Sequence, residues 1–287
     1  MQVGILISVT GLKEESFVTG ARHAQQMGYD CVELGACDAA GVLSVADLAH
    51  MSMSEAEQIA ADVRDQGVEI SAIQCHTSFL DEDAADVRRN IDHTKKVLSM
   101  ARRMNVGLVH TVSGPAPPDE EADVVFKRLA AVYDELLDAA ADNEVALGIE
   151  PVFIYAVSNL ETMQALDAAL ERDELTINFD PSHFPYHEED PVPFIKEYGP
   201  RIIHAHVKDA VVEPFEGALD EYGFETPTGK QFKFAAPGTG VLDWPAIIRA
   251  LRAVGFDGVL SLELGKGIPN EEQVARDNVA FVRQLIG

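Results

Sequence analysis

Short apolar runs alternate with longer stretches of helical period along the whole chain. The β-like runs fall at 3–8, 30–34, 68–76, 106–112, 145–150, 175–180, 201–207 and 258–264. Between them, apolar residues recur every three or four positions. That spacing predicts helices over 14–27, 54–66, 84–104, 119–143, 158–171, 191–198, 243–254 and 271–285. Eight β-then-α units predict a parallel sheet, and eight is the number that closes a barrel. The expected fold is therefore α/β, a single parallel (β/α)8 TIM barrel, with a doubly wound open sheet as the alternative. No linker rich in Gly, Pro or Ser divides the chain, so residues 1–287 read as one domain. The longest stretch with neither period is 210–242, after the seventh strand. A loop of that length in a compact domain is usually functional, and an active-site lid is the expectation.

Strand side chains alternate between two faces. In the fifth run, Val145, Leu147 and Ile149 oppose Ala146, Gly148 and Glu150. In the sixth, Leu175, Ile177 and Phe179 oppose Thr176, Asn178 and Asp180. In the seventh, Ile203, Ala205 and Val207 oppose Ile202, His204, His206 and Lys208. In the eighth, Leu260, Leu262 and Leu264 oppose Val259, Ser261 and Glu263. The larger apolar face suits the outer helices, so the smaller and more polar face points into the barrel. Glu33, His76 and His110 stand near the ends of earlier strands.

Glu150, Asp180, His206 and Glu263 thus come late on four strands and face inward, at the rim where barrels of this type carry their active sites. Three carboxylates cannot share a buried site unpaired, because desolvation and mutual repulsion would neutralise them. A divalent cation resolves the conflict. Three carboxylates and one imidazole suit Mn²⁺, Mg²⁺ or Co²⁺ better than a closed tetrahedral zinc site, although Zn²⁺ also accepts such ligands. One inward acid at a strand end is more often simply hydrogen-bonded; four at matching depth and parity point to a metal. His183, three residues after Asp180, reads as a ligand, a substrate donor or a turn residue. His204 lies one layer deeper and reads as a core histidine. His23, His50, His93 and His187 read as surface residues.

Charge narrows the partners. With 48 acidic against 22 basic residues the formal charge is −26. Nucleic acid and anionic membranes are excluded as partners, since both need a basic face. Acids dispersed along the whole chain fit adaptation to a salt-rich cytoplasm. Cys31, Cys37 and Cys75 form no C-x-x-C pair and read as reduced thiols, again placing the protein in the cytoplasm. No signal-peptide pattern precedes the first strand, and no apolar run reaches membrane-spanning length. The third helix carries Arg88, Arg89, Lys95, Lys96, Arg102 and Arg103 as one basic stripe. A solvated face is the first reading; the second is contact with an acidic face of another subunit in a homo-oligomer.

Gly148-Ile149-Glu150-Pro151, Asn178-Phe179-Asp180-Pro181-Ser182-His183, His204-Ala205-His206-Val207-Lys208-Asp209, Pro237-Gly238-Thr239-Gly240 with Asp243-Trp244, and Gly258 to Glu263 together resemble the sugar phosphate isomerase/epimerase family, the xylose-isomerase-like barrels. The resemblance covers essentially the whole chain. It implies that Glu150, Asp180, His206 and Glu263 are metal ligands, that Glu150 and Glu263 double as an acid/base pair, and that His183 and Lys208 contact a sugar or polyol-derived substrate. Glu33, His76 and His110 are further candidates for substrate contact, and His76 with His110 leaves room for a second metal. Isomerases, epimerases and inosose dehydratases share such ligands. The superfamily also includes endonuclease IV, but that enzyme has an Asp-x-His pair after the seventh strand, and 210–242 here contains no histidine. Gly265-Lys266-Gly267 stands where barrels often bind phosphate, but no basic cluster accompanies Lys266, so an unphosphorylated substrate is expected. A non-catalytic sugar-binding barrel is the alternative to an enzyme.

Overall fold

Val3, Ile5 and Ile7 of the first run bury their side chains completely, and each later run repeats that choice of β-branched and leucine residues. The computed structural model describes residues 1–8, 16–36, 48–265 and 267–287. Its barrel strands are β1 (Gln2–Ile7), β2 (Cys31–Gly35), β3 (Glu69–Gln74), β4 (Leu108–Thr111), β5 (Ala146–Ile149), β6 (Thr176–Phe179), β7 (Ile202–Val207) and, after three strands outside the barrel, β11 (Val259–Leu262). They close in the order β1-β11-β7-β6-β5-β4-β3-β2, and every neighbouring pair is parallel. The expected (β/α)8 barrel is therefore the fold, and the open sheet is discarded.

The helices are α1 (Phe17–Met27), α2 (Met53–Arg64), α3 (Ala84–Arg103), α4 (Ala122–Asn143), α5 (Leu160–Leu170), α6 (Val192–Tyr198), α7 (Trp244–Ala253) and α8 (Glu271–Ile286). Local chemistry sets their starts. Ser16, Asp83 and Asp243 cap α1, α3 and α7 through their side chains, and Ser52 with Glu55 forms a capping box on α2. Gly28 ends α1 in the left-handed conformation, at φ 94°. The expected start of α1 at residue 14 lies outside the described residues. The main core fills the layer between the outer strand faces and the helices. Ile203 departs from that plan: at the start of β7 it is 36% exposed.

One expectation needs correction. The stretch 210–242 is not irregular. It holds β8 (Asp209–Glu213), β9 (Phe224–Glu225) and β10 (Gln231–Ala235), an antiparallel sheet in the order β8-β10-β9. The basic stripe on α3 is solvent-exposed, with the Arg89 side chain at 70% and Arg103 at 60%, and much of it also pairs with acids of the same chain. Arg88 and Lys95 bind Glu135 on α4, Arg103 binds Glu57 on α2, Arg102 binds Glu144, and Arg89 binds Asp86. The pairs with Glu135 and Glu57 tie α3 to α4 and α2. Cys31 and Cys75 are buried and not disulfide-bonded, whereas Cys37 lies outside the described residues. No helix among the described residues is long and apolar enough to cross a membrane.

Candidate active site

Regular pairing stops just short of most of the predicted residues. β5 ends at Ile149, β6 at Phe179, β11 at Leu262 and β3 at Gln74, so Glu150, Asp180, Glu263 and His76 each occupy the first or second position beyond a strand. The chain is still extended there, so side-chain parity persists and all four converge over the barrel mouth. Glu33, His110 and His206 stand on the strands themselves, and of these His206 joins the carboxylates at the mouth.

Ligand-capable atoms of Glu150, Asp180, His206 and Glu263 all lie within 4.8 Å of one another, and the four residues are buried. His206 organises them. Its Nδ1 lies 3.2 Å from Glu263 Oε2, 3.5 Å from Glu150 Oε2 and 3.9 Å from Asp180 Oδ2. Its Nε2 lies 3.2 Å from Glu33 Oε2 on the opposite side. A histidine whose one nitrogen faces a carboxylate partner has the other held in a fixed direction, the arrangement that orients imidazole toward a cation. Three carboxylates plus this aimed imidazole make a donor set that fits a divalent ion.

Lys208 supplies countercharge. Its Nζ is 2.8 Å from Asp180 Oδ2 and 2.5 Å from Glu263 Oε2, and it lies 4.4 Å from the centre of the Phe234 ring. The electrostatics follow from this packing. Burial works to raise the carboxyls of Glu33 and Glu150, but neighbouring imidazoles, His206 foremost, hold both well below the usual carboxylate range. Glu263 is pushed down against its burial by Lys208 and then His206. Burial would lower His206 and Lys208, yet the surrounding carboxylates raise both. At His204 the balance falls the other way: burial, aided by the His206 and His110 imidazoles, lowers it to about 3 although Glu33 works to raise it.

The other expected residues divide by depth. His76, His183 and Lys208 line a cavity of about 410 Å³ together with Glu150 and Glu263. His76 Nε2 stands 3.4 Å from Glu150 Oε2, and His183 Nε2 stands 3.3 Å from Glu150 Oε1. Glu33 and His110, expected beside substrate, do not line it. His110 Nε2 is 2.5 Å from Glu33 Oε1, both residues are completely buried, and Ser261 Oγ donates to Glu33 Oε2 at 3.0 Å. They support the site from beneath, because β2 and β4 deliver them one layer too deep. His23, His93 and His187, expected at the surface, are half-buried, whereas His50 is exposed; His93 Nε2 sits 2.8 Å from the Ala36 carbonyl. Lys266 lies outside the described residues.

Sequence reasoning missed Asn178 and Phe153. Asn178 Nδ2 donates to Glu150 Oε2 at 2.9 Å, and its Oδ1 is 2.9 Å from His204 Nδ1, so it fixes the catalytic candidate to the neutral histidine below. Its inward parity and polarity were the available signal. Phe153 lies in the loop after Glu150, where no period operates.

Residues 21–285 match the sequence model of the xylose isomerase-like TIM barrel family. An inosose dehydratase of Geobacillus thermodenitrificans is 25% identical over 222 residues, covering 75% of this chain and 70% of that protein. Other curated relatives are matched over 45–62% of their own length, less than two thirds. Among solved structures, the Escherichia coli 3-keto-D-glucoside 4-epimerase YcjR superposes with a TM-score of 0.75 at 16% identity, covering 99% of each chain. The IolI protein with a bound zinc atom superposes with a TM-score of 0.75 at 19% identity, covering 100% of this chain and 96% of that one. At these identities the structural likeness is one of fold. The family match extends over nearly the whole barrel and takes in every residue of the acid cluster, and the chain belongs to the xylose isomerase-like TIM barrel family.

Proposed function

We propose that the protein is a divalent-metal-dependent sugar isomerase or epimerase that moves a proton beside the carbonyl of a ketose or polyol-derived ketone. The observation that carries this reading is the convergence of Glu150, Asp180, His206 and Glu263 within 4.8 Å at the strand ends of the barrel. These four residues would hold the ion, with Mn²⁺ first and Mg²⁺, Co²⁺ or Zn²⁺ as the other candidates. When bound, such an ion supplies Lewis-acid polarisation of a carbonyl and stabilises charge developing on its oxygen.

The chain's own groups do the rest. Glu150 and Glu263 follow β5 and β11, with β6 and β7 between them, so their carboxylates reach a substrate from two directions. Both are held ionised, ready to accept a proton. One removes the proton; the other, loaded with a proton from solvent, returns one to the substrate. Return to the opposite face of the same carbon epimerises; return to the neighbouring carbon isomerises. His183, at 3.3 Å from Glu150, is placed to hold a substrate hydroxyl against that carboxylate. Among the described residues lining the cavity, Lys208 is the one lysine or arginine, and Asp180 and Glu263 already engage it. That supports an unphosphorylated sugar.

An inosose dehydratase-type lyase is the second reading, supported by the name of the Geobacillus relative. It needs the same proton removal, followed by loss of a β-hydroxyl. Two measurements test the proposal. In calorimetric titration with Mn²⁺, Asp180→Asn and His206→Ala should each weaken binding at least about tenfold, the cost of a lost metal bond or its orientation, while His23→Ala should not. Mass and NMR analysis of products from a panel of ketoses and inososes then separates rearrangement, which conserves mass, from loss of water. Absence of binding by any divalent ion, or unchanged affinity in both site variants, would remove the metal-dependent reading. Absence of turnover by a metal-loaded protein would leave a sugar-binding barrel.

A further inference from the structure

Six large apolar side chains among the described residues are more than a third exposed: Val124, Ile154, Ile203, Tyr222, Phe224 and Val241. Three of them meet in one place. Ile154 (46% exposed), Tyr222 (45%) and Phe224 (38%) all line the cavity above the acid cluster. Ile154 comes from the loop after β5; Phe224 comes from the small sheet inserted between β7 and α7, and Tyr222 from the turn just before its β9.

The cavity is therefore two-sided. Its barrel side presents the charged groups Glu150, His183, Lys208 and Glu263. Its outer side presents Ile154, Tyr222 and Phe224, backed by Phe153 and Phe234. That outer side is built, not floppy. The Phe153 ring centre lies 5.0 Å from Phe224, 4.8 Å from Phe232 and 5.9 Å from Phe234, and Phe232 is fully buried in a small core separate from the barrel's own. A Cβ at Gly265 would come within 2.6 Å of Phe234, and one at Gly267 within 2.7 Å of the Tyr222 ring. Only glycine at these positions lets the two aromatic side chains close over the end of β11.

A free ketose can lay a C–H face on one aromatic ring, but its hydroxylated edges match Ile154, Tyr222 and Phe224 together poorly. Exposed apolar surface concentrated at the mouth of a functional cavity marks a ligand with an apolar part. We propose that the substrate is a keto-sugar bearing an apolar substituent, an aryl or alkyl glycoside, whose aglycone lies against Ile154, Tyr222 and Phe224. The sugar half of this assignment rests on the isomerase reading; the apolar half rests on the insert. The cavity volume of about 410 Å³ falls in the range that holds ligands larger than one small ring.

The test compares methyl β-D-glucopyranoside with phenyl β-D-glucopyranoside by calorimetry or saturation-transfer NMR, with and without Mn²⁺. Phenyl glucoside should bind roughly tenfold or more tightly, the scale of one apolar ring removed from water. The double variant Tyr222→Ala/Phe224→Ala should abolish that advantage while leaving the methyl glucoside unchanged. Ile154→Ser, in the loop after β5, should reduce it without touching the insert. Val124→Ala, remote from the cavity, should leave it intact. Equal affinities for the two glycosides, no binding of the phenyl glycoside, or an advantage that survives all three cavity substitutions would each overturn the proposal. Neither probe is a ketone, so this result is independent of turnover. The metal titration and product analysis decide the isomerase reading separately.

Discussion

Lys208 Nζ lies 2.5 Å from Glu263 Oε2, with both side chains buried at the barrel mouth. The same ammonium lies 2.8 Å from Asp180 Oδ2. Within the barrel it is, with His206, the cation that makes three neighbouring carboxylates tolerable.

Lys208→Met keeps most of the volume and removes the charge. Breaking a buried ion pair from one side typically costs about 3–5 kcal/mol, because the remaining charge is left uncompensated. The metal-free variant should therefore melt several degrees below the wild-type protein. A divalent ion offers the acid cluster the missing charge, so added Mn²⁺ should raise the melting temperature more in the variant than in the wild type. Equal shifts in the two proteins would show that Lys208 and the ion do not serve the same carboxylates.

Glu135 gives a pH prediction well away from the site. Hydrogen bonds from Arg88 and then Lys95 lower its carboxyl from 4.5 to about 2. The pair ties α4 to α3 through contacts of 2.8 Å and 2.5 Å. Because the native pKa is depressed, the unfolded chain binds more protons between these two values. The stabilisation is thus complete above about pH 4.5 and is lost as the pH falls toward about 2. The Glu135 side chain is 37% exposed, so solvent screening limits the pair to less than about 1 kcal/mol. Glu135→Gln should lower the melting temperature at pH 7 by about 2 °C, the usual scale for a domain of this size. The gap should close as the pH approaches 2. A gap that persists at pH 2 would assign it to packing and not to charge.

The carboxylates of the site could be read from the chain because period two outlasts the ladder. Glu150, Asp180 and Glu263 each come one residue after the last paired position, where the backbone still alternates. Depth could not be read in the same way. Parity tells which face a residue occupies, but its height depends on how each strand is staggered against its neighbours. The register between β2 and β3 shifts at Val32/Glu33, and that between β6 and β7 shifts at Ile177/Asn178. Glu33 consequently sits beneath His206 and not beside a substrate. The small sheet after β7 was hidden for another reason. β9 is two residues long, and its pairing with β10 is set by tertiary contact. The alternation of Tyr222 with Phe224, and of Phe232 with Phe234, is the trace it leaves in the sequence.

Solvent isotope separates the proposed chemistry from the alternative route to the same products. A carboxylate that takes a proton exchanges it with water before returning it, or hands the task to a partner loaded from solvent. A hydride shift carries the hydrogen directly between carbons. Glu150 and Glu263 both line the cavity, so each can reach bulk water through the mouth. Turnover of an active ketose in D₂O should therefore place deuterium on the carbon next to the carbonyl, in product and in recovered substrate, as read by NMR. Glu150→Gln and Glu263→Gln preserve shape and remove the base. Each should keep the fold and lose roughly 10²-fold or more in kcat, the scale of a positioned general acid or base. The two losses should differ with substrate: the carboxylate facing the proton being removed limits exchange, while its partner limits product formation. A Gln variant that still washes deuterium into recovered substrate yet makes no product identifies the carboxylate that returns the proton. Complete conversion without deuterium in either species, or full activity in both variants with metal still bound, would move the chemistry away from this pair and toward direct hydrogen transfer.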